Sequence, residues 1–232
     1  MDDRVLLITG ASRGLGEATA RHAAAAGFRL ALVARKTESV APLAAELGED
    51  RALALGADVA DWPGISGAVA RTVDHFGRLD AAFANAGQSQ VVSFFGNGGT
   101  DPAQWRDMVL ANVLGAALTA RAALPALAES KGHLLLTGSV AGRYIRKGNL
   151  YSATKWAVTG MAGGIREEAV GSGVRVTLIE PGLVETDMLR DDQRERPKLV
   201  PDDIARAVLY ALQQPPSVDV NEILIRPTGQ VL

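Results

Sequence analysis

Val5-Leu6-Leu7-Ile8-Thr9-Gly10-Ala11-Ser12-Arg13-Gly14-Leu15-Gly16 is the stretch on which the fold turns. Four aliphatic residues form a buried-strand pattern, and the run breaks at Thr9-Gly10. From Gly14 to Ala26 the chain is rich in alanine, and Gly27 then supplies a helix stop. The order is therefore strand, glycine turn, helix. Glycines at such a junction let the backbone turn tightly and approach a pyrophosphate, which the free N–H groups of the helix start then hold. The spacing here is Gly10-x-x-x-Gly14-x-Gly16, not the general Gly-x-Gly-x-x-Gly fingerprint. No Gly-Lys-Ser/Thr follows, which excludes a nucleoside-triphosphate loop. The alternative is an ordinary glycine-rich turn.

Outward from this unit the alternation continues. Strands are expected at Phe28–Val33, Arg51–Leu55, Leu79–Ala84, His133–Leu136, Val174–Ile179 and Glu222–Ile225. Helices are expected at Glu38–Leu47, from the cap Asp61 to Phe76 with Gly77 as stop, from Pro102 to Ala128, through Tyr151 to about Val170, and at Pro201–Leu212. Strands that are apolar throughout, alternating with helices, imply a parallel sheet covered on both faces. The expected fold is α/β, a single-domain Rossmann-type doubly wound sheet of about seven strands over residues 1–232. Two stretches break the rhythm, Gln88–Thr100 and Leu183–Val200. Each follows the carboxyl end of a strand, where open α/β sheets bind ligands. The second is dense in charge and reads as a solvated loop or a lid over substrate.

The bulk composition narrows the function. At 232 residues and 47% apolar content the chain fills one domain. A formal charge of −2 with no basic block argues against a nucleic-acid partner. The absence of cysteine excludes disulfides, thiolate metal sites and cysteine nucleophiles. His22, His75 and His133 lack metal-ligand spacing, so no metal is expected. Apolar runs are broken by charge well before the length of a membrane span, and no signal peptide is legible, so a cytoplasmic location is expected.

Tyr151 and Lys155 stand four apart in a segment whose later residues (Ala157, Val158, Met161, Ala162) favour a helix. That spacing stacks them on one face. A phenol titrates near pH 10, and lowering that by about three units needs about 4 kcal/mol. An ammonium at about 4–5 Å supplies roughly 3–4 kcal/mol at an effective dielectric of ~20. A tyrosine so placed is expected to act as an acid or base. The alternative is a solvated helix face.

With Thr9 to Gly16, Asp58-Val59, Asn85-Ala86-Gly87, Asn112, Ser139, Tyr151-x-x-x-Lys155 and Pro181-Gly182 with Thr186 in that order, the chain resembles the single-domain branch of the short-chain dehydrogenase/reductase family. The resemblance implies an oxidoreductase acting on a small carbonyl or alcohol, with Tyr151 as proton donor and Lys155 as its activator and a ligand of the nicotinamide ribose. It implies that Ser139 holds the substrate oxygen, and that Asn112 distorts its helix and leads a proton relay to the lysine. For the dinucleotide it implies contacts from Gly10, Ser12, Arg13, Gly14, Leu15 and Gly16, from Asp58 and Val59 at adenine, and from Asn85, Ala86 and Gly87 at the ribose. Pro181, Gly182, Val184 and Thr186 would line the nicotinamide. The second strand ends in Val33-Ala34-Arg35-Lys36 without an acid, so Arg35 and Arg13 are expected to face the 2′-phosphate of NADP(H). Ser139 lies closer to Tyr151 than in many relatives, and Thr137-Gly138 replaces a frequent extra serine. Arg143 and Arg146 are candidate receivers of a substrate carboxylate, and the short carboxyl end looks like that of relatives acting on small 3-hydroxy acids. The small-residue stripes Ala111, Gly115, Ala116 and Ala157, Gly160, Gly164 are core packing or, as in relatives, pairing surfaces of a homodimer or homotetramer. A non-catalytic NADP(H)-sensing protein on the same fold is the rival reading.

Overall fold

The computed structural model describes residues 3–144, 149–189 and 191–230, with the side chain of Asp192 excepted. Arg146, Gly148 and Arg190 therefore lie outside the described residues.

Seven strands form one sheet: β1 (Val5–Thr9), β2 (Arg29–Ala34), β3 (Ala52–Gly56), β4 (Ala81–Ala84), β5 (His133–Thr137), β6 (Arg175–Pro181) and β7 (Glu222–Ile225). Their order is β3-β2-β1-β4-β5-β6-β7, and every neighbouring pair is parallel. The helices are α1 (Gly14–Ala25), α2 (Ala41–Leu47), α3 (Trp62–Phe76), α4 (Pro102–Val109), α5 (Gly115–Ser130), α6 (Leu150–Glu168) and α7 (Pro201–Leu212). Successive side chains of a strand point to opposite faces, and here both faces are apolar. Val5 and Leu7 pack with Ile65, Ala120 and Val158 from α3, α5 and α6. Leu6 and Ile8 pack on the other side with Ala20, Ile204 and Val208 from α1 and α7. Winding reverses between β1 and β4, and the crevice above that point is where such a sheet takes its ligand.

Local chemistry sets the element ends. Asp61 caps α3 by accepting from the Gly64 N–H at 2.9 Å, and Gly77 closes it in the left-handed region at φ 78°. The expected single helix from Pro102 is instead interrupted. Leu110–Leu114 is a π-helical turn joining α4 to α5, with Asn112 buried inside it. The run 102–130 is long and apolar enough to cross a bilayer by length and composition alone, yet Ala116, Ala120, Ala123 and Leu127 sit in the core of this domain. The stripe on α5 is likewise split from that on α6. Gly115 and Ala116 are core, whereas Ala157, Gly160 and Gly164 face outward.

Candidate active site

The glycine turn is built by close approach. A methyl group on Gly16 would lie 2.2 Å from the Gly10 carbonyl oxygen and 2.9 Å from Asn85 Nδ2, and one on Gly10 would meet Ala86 Cα at 2.9 Å. Gly10 and Gly14 also take φ +66° and +58°, which a side chain disfavours. Thr9 and Asn85 lock the turn to the end of β4. The Thr9 hydroxyl accepts from the backbone N–H groups of Asn85 and Ala86 at 3.0 and 3.1 Å, and Asn85 Nδ2 donates to the Thr9 carbonyl at 3.0 Å. Gly87 follows, and a methyl group there would meet Asn112 Oδ1 at 3.0 Å.

At the start of α1, Arg13 takes the cap position in an extended conformation and no side chain caps the helix. Its first N–H groups are left to an anion. With Ser12 and Leu15 half-buried beside them, these donors and the glycine cradle fit a dinucleotide pyrophosphate.

At the adenosine end, Arg35 directly follows β2, is exposed, and makes no ion pair among the described residues. Arg13 is engaged differently from the expectation. It pairs with Asp187 of the 183–200 stretch at 2.9 Å, both side chains being largely exposed. Asp58 lies just past β3 and accepts from the Ala60 N–H at 2.9 Å. Val59 is buried against α5, where a methyl group on Gly115 would come within 2.6 Å of it.

Ser139, Tyr151 and Lys155 converge at the carboxyl ends of β5 and β6. Ser139 begins a 3-10 turn (Val140–Gly142), and its Oγ accepts from the Ala141 N–H at 3.1 Å and donates to the Pro181 carbonyl at 3.4 Å. The α6 side of this turn is tight, since a methyl group on Gly142 would stand 2.8 Å from the Lys155 carbonyl. Ser152 of α6 also donates to the carbonyls of Ala141 and Tyr144. Tyr151 and Lys155 share a helix face as the spacing predicts, the Lys155 Nζ lying 5.6 Å from the ring centroid. The electrostatic expectation is corrected, however. Burial raises the Tyr151 pKa, and a hydrogen bond with Ser139 opposes that rise without reversing it. Burial also lowers Lys155 to about 8, since desolvation disfavours its charge, and its ammonium donates to the Thr137 carbonyl at 2.7 Å.

Asn112 is 2% exposed and its amide is fully used. Its Oδ1 accepts from the Gln88 N–H at 2.8 Å, and its Nδ2 donates to the Gln88 carbonyl at 2.9 Å and to Thr154 Oγ1 at 3.1 Å. It touches α6 one residue before Lys155 and does not bond the lysine itself.

Pro181 ends β6 and Gly182 follows beneath Arg226 and Gln230, with the Leu183 N–H donating to Gln230 Oε1 at 3.1 Å. The next stretch is pinched at its neck. Val184 bridges Leu199, the Glu185 N–H donates to the Leu199 carbonyl, and the Leu199 N–H donates to the Leu183 carbonyl, both at 2.8 Å. Inside it, Thr186 Cγ2 lies 3.5 Å from where a methyl group on Gly14 would be, so this stretch lies against the glycine turn. The 88–100 stretch has a similar neck, the Thr100 N–H donating to the Val91 carbonyl at 2.8 Å. Arg143 is not a free receiver for a carboxylate. Its Nε and one terminal nitrogen each donate to Glu180 at 2.7 Å, and it also bonds Glu222.

The family model for short chain dehydrogenases matches residues 4–197. The chain belongs to this family. An uncharacterized oxidoreductase of Staphylococcus aureus strain USA300 is 36% identical to this short chain dehydrogenase over 98% of each chain. An alcohol dehydrogenase from Thermococcus sibiricus, solved with 5-hydroxy-NADP, superimposes with a TM-score of 0.90 at 31% identity, covering 100% of this chain and 99% of that one. A 3-ketoacyl-(acyl-carrier-protein) reductase from Brucella melitensis, solved with NADH, gives 0.86 at 27% identity over 96% of each chain.

Several residues that build the site of this short chain dehydrogenase escaped the sequence reading. Thr137 gives its carbonyl to Lys155 and its hydroxyl to Asn85 Oδ1 at 3.1 Å, tying the lysine to the glycine turn. Thr154 bonds Asn112, Asp187 bonds Arg13, and Gln230 holds the start of the 183–200 stretch. Thr9 and Thr137 stand in quoted motifs. The others are visible only once the chain is folded.

Proposed function

We propose that this short chain dehydrogenase is an NADPH-dependent carbonyl reductase, equally a secondary-alcohol dehydrogenase in reverse. The observation that carries the reading is the meeting of Ser139, Tyr151 and Lys155 at one rim of the sheet, beside a glycine turn whose helix start is uncapped. The nicotinamide, when bound, supplies or takes up the hydride. Everything else falls to the chain. Ser139 and Tyr151 would converge on the substrate oxygen, and Tyr151, held neutral by burial, gives it a proton. Lys155, charged below about pH 8 and on the same helix face, stabilises the negative charge left on the phenol, which then regains its proton from solvent. Asn112 fixes the geometry by tying the end of β4 to α6. Preference for the phosphorylated nucleotide rests on Arg35, a cation where an acid would repel a 2′-phosphate.

The outward stripe of α6, with Gly160 and Gly164 open to approach, supports pairing of the chain into a homodimer or homotetramer. With Arg143 engaged by Glu180, nothing among the described residues of this rim favours a free small acid over a neutral ketone.

The test is oxidation of NADPH and of NADH against aldehydes, diketones, β-keto acids and quinones. Tyr151→Phe should bind NADPH normally and lose turnover by several orders of magnitude, and Arg35→Asp should weaken NADPH far more than NADH. Near-normal turnover in Tyr151→Phe overturns the proton-donor assignment. Absence of turnover with every substrate, alongside tight nucleotide binding, favours the sensor.

A further inference from the structure

We infer that Arg143, gripping the buried carboxylate of Glu180, is a positioning residue that sets where the Ser139 hydroxyl stands against Tyr151. The inference rests on the catalytic reading of Ser139 given above. Ser139 sits on a short turn between β5 and α6 that is held from within by the Ala141 N–H on Ser139 Oγ and from α6 by Ser152 on the Ala141 carbonyl, so its placement against β6 depends on bonds to that strand. The β6 side pins it at three points. The Gly138 N–H donates to the Ile179 carbonyl at 2.7 Å, Ser139 Oγ donates to the Pro181 carbonyl at 3.4 Å, and Arg143 makes two 2.7 Å bonds to Glu180. Ile179, Glu180 and Pro181 are consecutive, so the turn is held to one strand end before and after the serine.

The third pin differs in kind. Glu180 has no exposed surface, whereas the Arg143 side chain keeps 30% of its own. A carboxylate at that depth requires a planar cation with two parallel N–H donors, which lysine does not offer. Glu180 also shapes the turn by packing. A methyl group on Gly138 would lie 3.0 Å from Glu180 Cγ, so the backbone before Ser139 rests on the carboxylate's own stem. Glu222 of β7 takes the remaining reach of the guanidinium at the sheet edge. Arg143 touches none of the reacting groups, and it acts through the serine.

The experiment is a double-mutant cycle on kcat. Arg143→Met alone would strand a buried charge and cost folding, so the pair Arg143→Met/Glu180→Gln, which removes both charges, is measured with Arg143→Lys, Ser139→Ala and their combinations. Circular dichroism and thermal melting give the folded fraction, to which each rate is referred. In the wild-type background the pair and Arg143→Lys should each lower kcat, the pair by about ten- to a hundredfold, as expected for a reacting group displaced by a fraction of an ångström to 1 Å. KM for the nucleotide should stay within about twofold. In the Ser139→Ala background the same changes should lower kcat by less than about twofold, because the group they position is gone. A purely structural role would lower the melting temperature in both backgrounds and leave kcat per folded molecule unchanged, which overturns the inference. An equal loss in both backgrounds also overturns it. Should Ser139→Ala itself keep full turnover, the site reading fails first, and this inference with it.

Discussion

Lys155 is the costliest side chain in the site to keep charged. Its pKa falls from the ordinary 10.5 to about 8 on burial, so the unfolded chain holds that proton more tightly than the folded one. Stability therefore rises as pH climbs from about 8 to 10.5, and below pH 8 the full penalty applies. Such a lowering corresponds to at most about 3 kcal/mol at neutral pH. Lys155→Met should recover part of it, about 1–2 kcal/mol after the Thr137 carbonyl is left unpaired, and raise the melting temperature by roughly 4 °C. The same variant should lose turnover by orders of magnitude, a trade of activity for stability that paired melting curves and kcat measurements would check. The titration also shapes the rate. Tyr151 stays protonated across the working range because its pKa is raised, so kcat/KM for carbonyl reduction should be flat below about pH 8 and fall above it as the ammonium is lost. A profile from pH 6 to 10 that declines only near pH 10 would contradict this.

Among the elements, the π-helical turn matters most to the site. One extra residue per turn swings the Asn112 amide across to Gln88, where it satisfies both backbone groups, and to Thr154 on α6. Asn112→Leu leaves those half-buried groups without their partner and should cost on the order of 2 kcal/mol, read as a lower urea midpoint at unchanged slope. The sequence offered one sign of this turn, an asparagine inside an apolar helix. Periodicity alone drew a single helix through it. Where the chemistry is local the reading succeeded: Trp62–Phe76 and Pro201–Leu212 were legible from Asp61, Gly77 and the early prolines. The reading failed where partners are distant. Arg13 and Asp187 stand 174 positions apart, and Glu180 hides in a strand that reads as apolar, so neither engagement leaves a local trace. Tyr151 departs from its expected electrostatics for a related reason. Its spacing to Lys155 was visible, but the degree of burial that governs both groups was not.

For the molecule as a whole, parallel strands send every carboxyl end to one rim, and the opposite rim is free to serve stability. There His133 is 1% exposed, with Nε2 2.7 Å from Thr177 Oγ1 and no partner for Nδ1 among the described residues. Burial, then the nearby Arg175 and Arg4, lowers its pKa to about 3. The folded protein resists protonating it while the unfolded chain does not, so its neutral form is fully tolerated above about pH 6.5 and stability is lost as pH falls toward 3. At pH 5 the loss is about 2 kcal/mol. His133→Asn should shrink the fall in unfolding free energy between pH 7 and pH 5 by roughly that amount, measured by urea titration at both values. On the ligand-facing rim, the two pinched necks, Val91 to Thr100 and Val184 to Leu199, have a further consequence. Each closes its segment into a cassette whose ends are tied to one another before they reach the sheet. Foreign segments spliced inside either cassette would leave the strand register untouched, so new selectivity is open to this scaffold by transplantation.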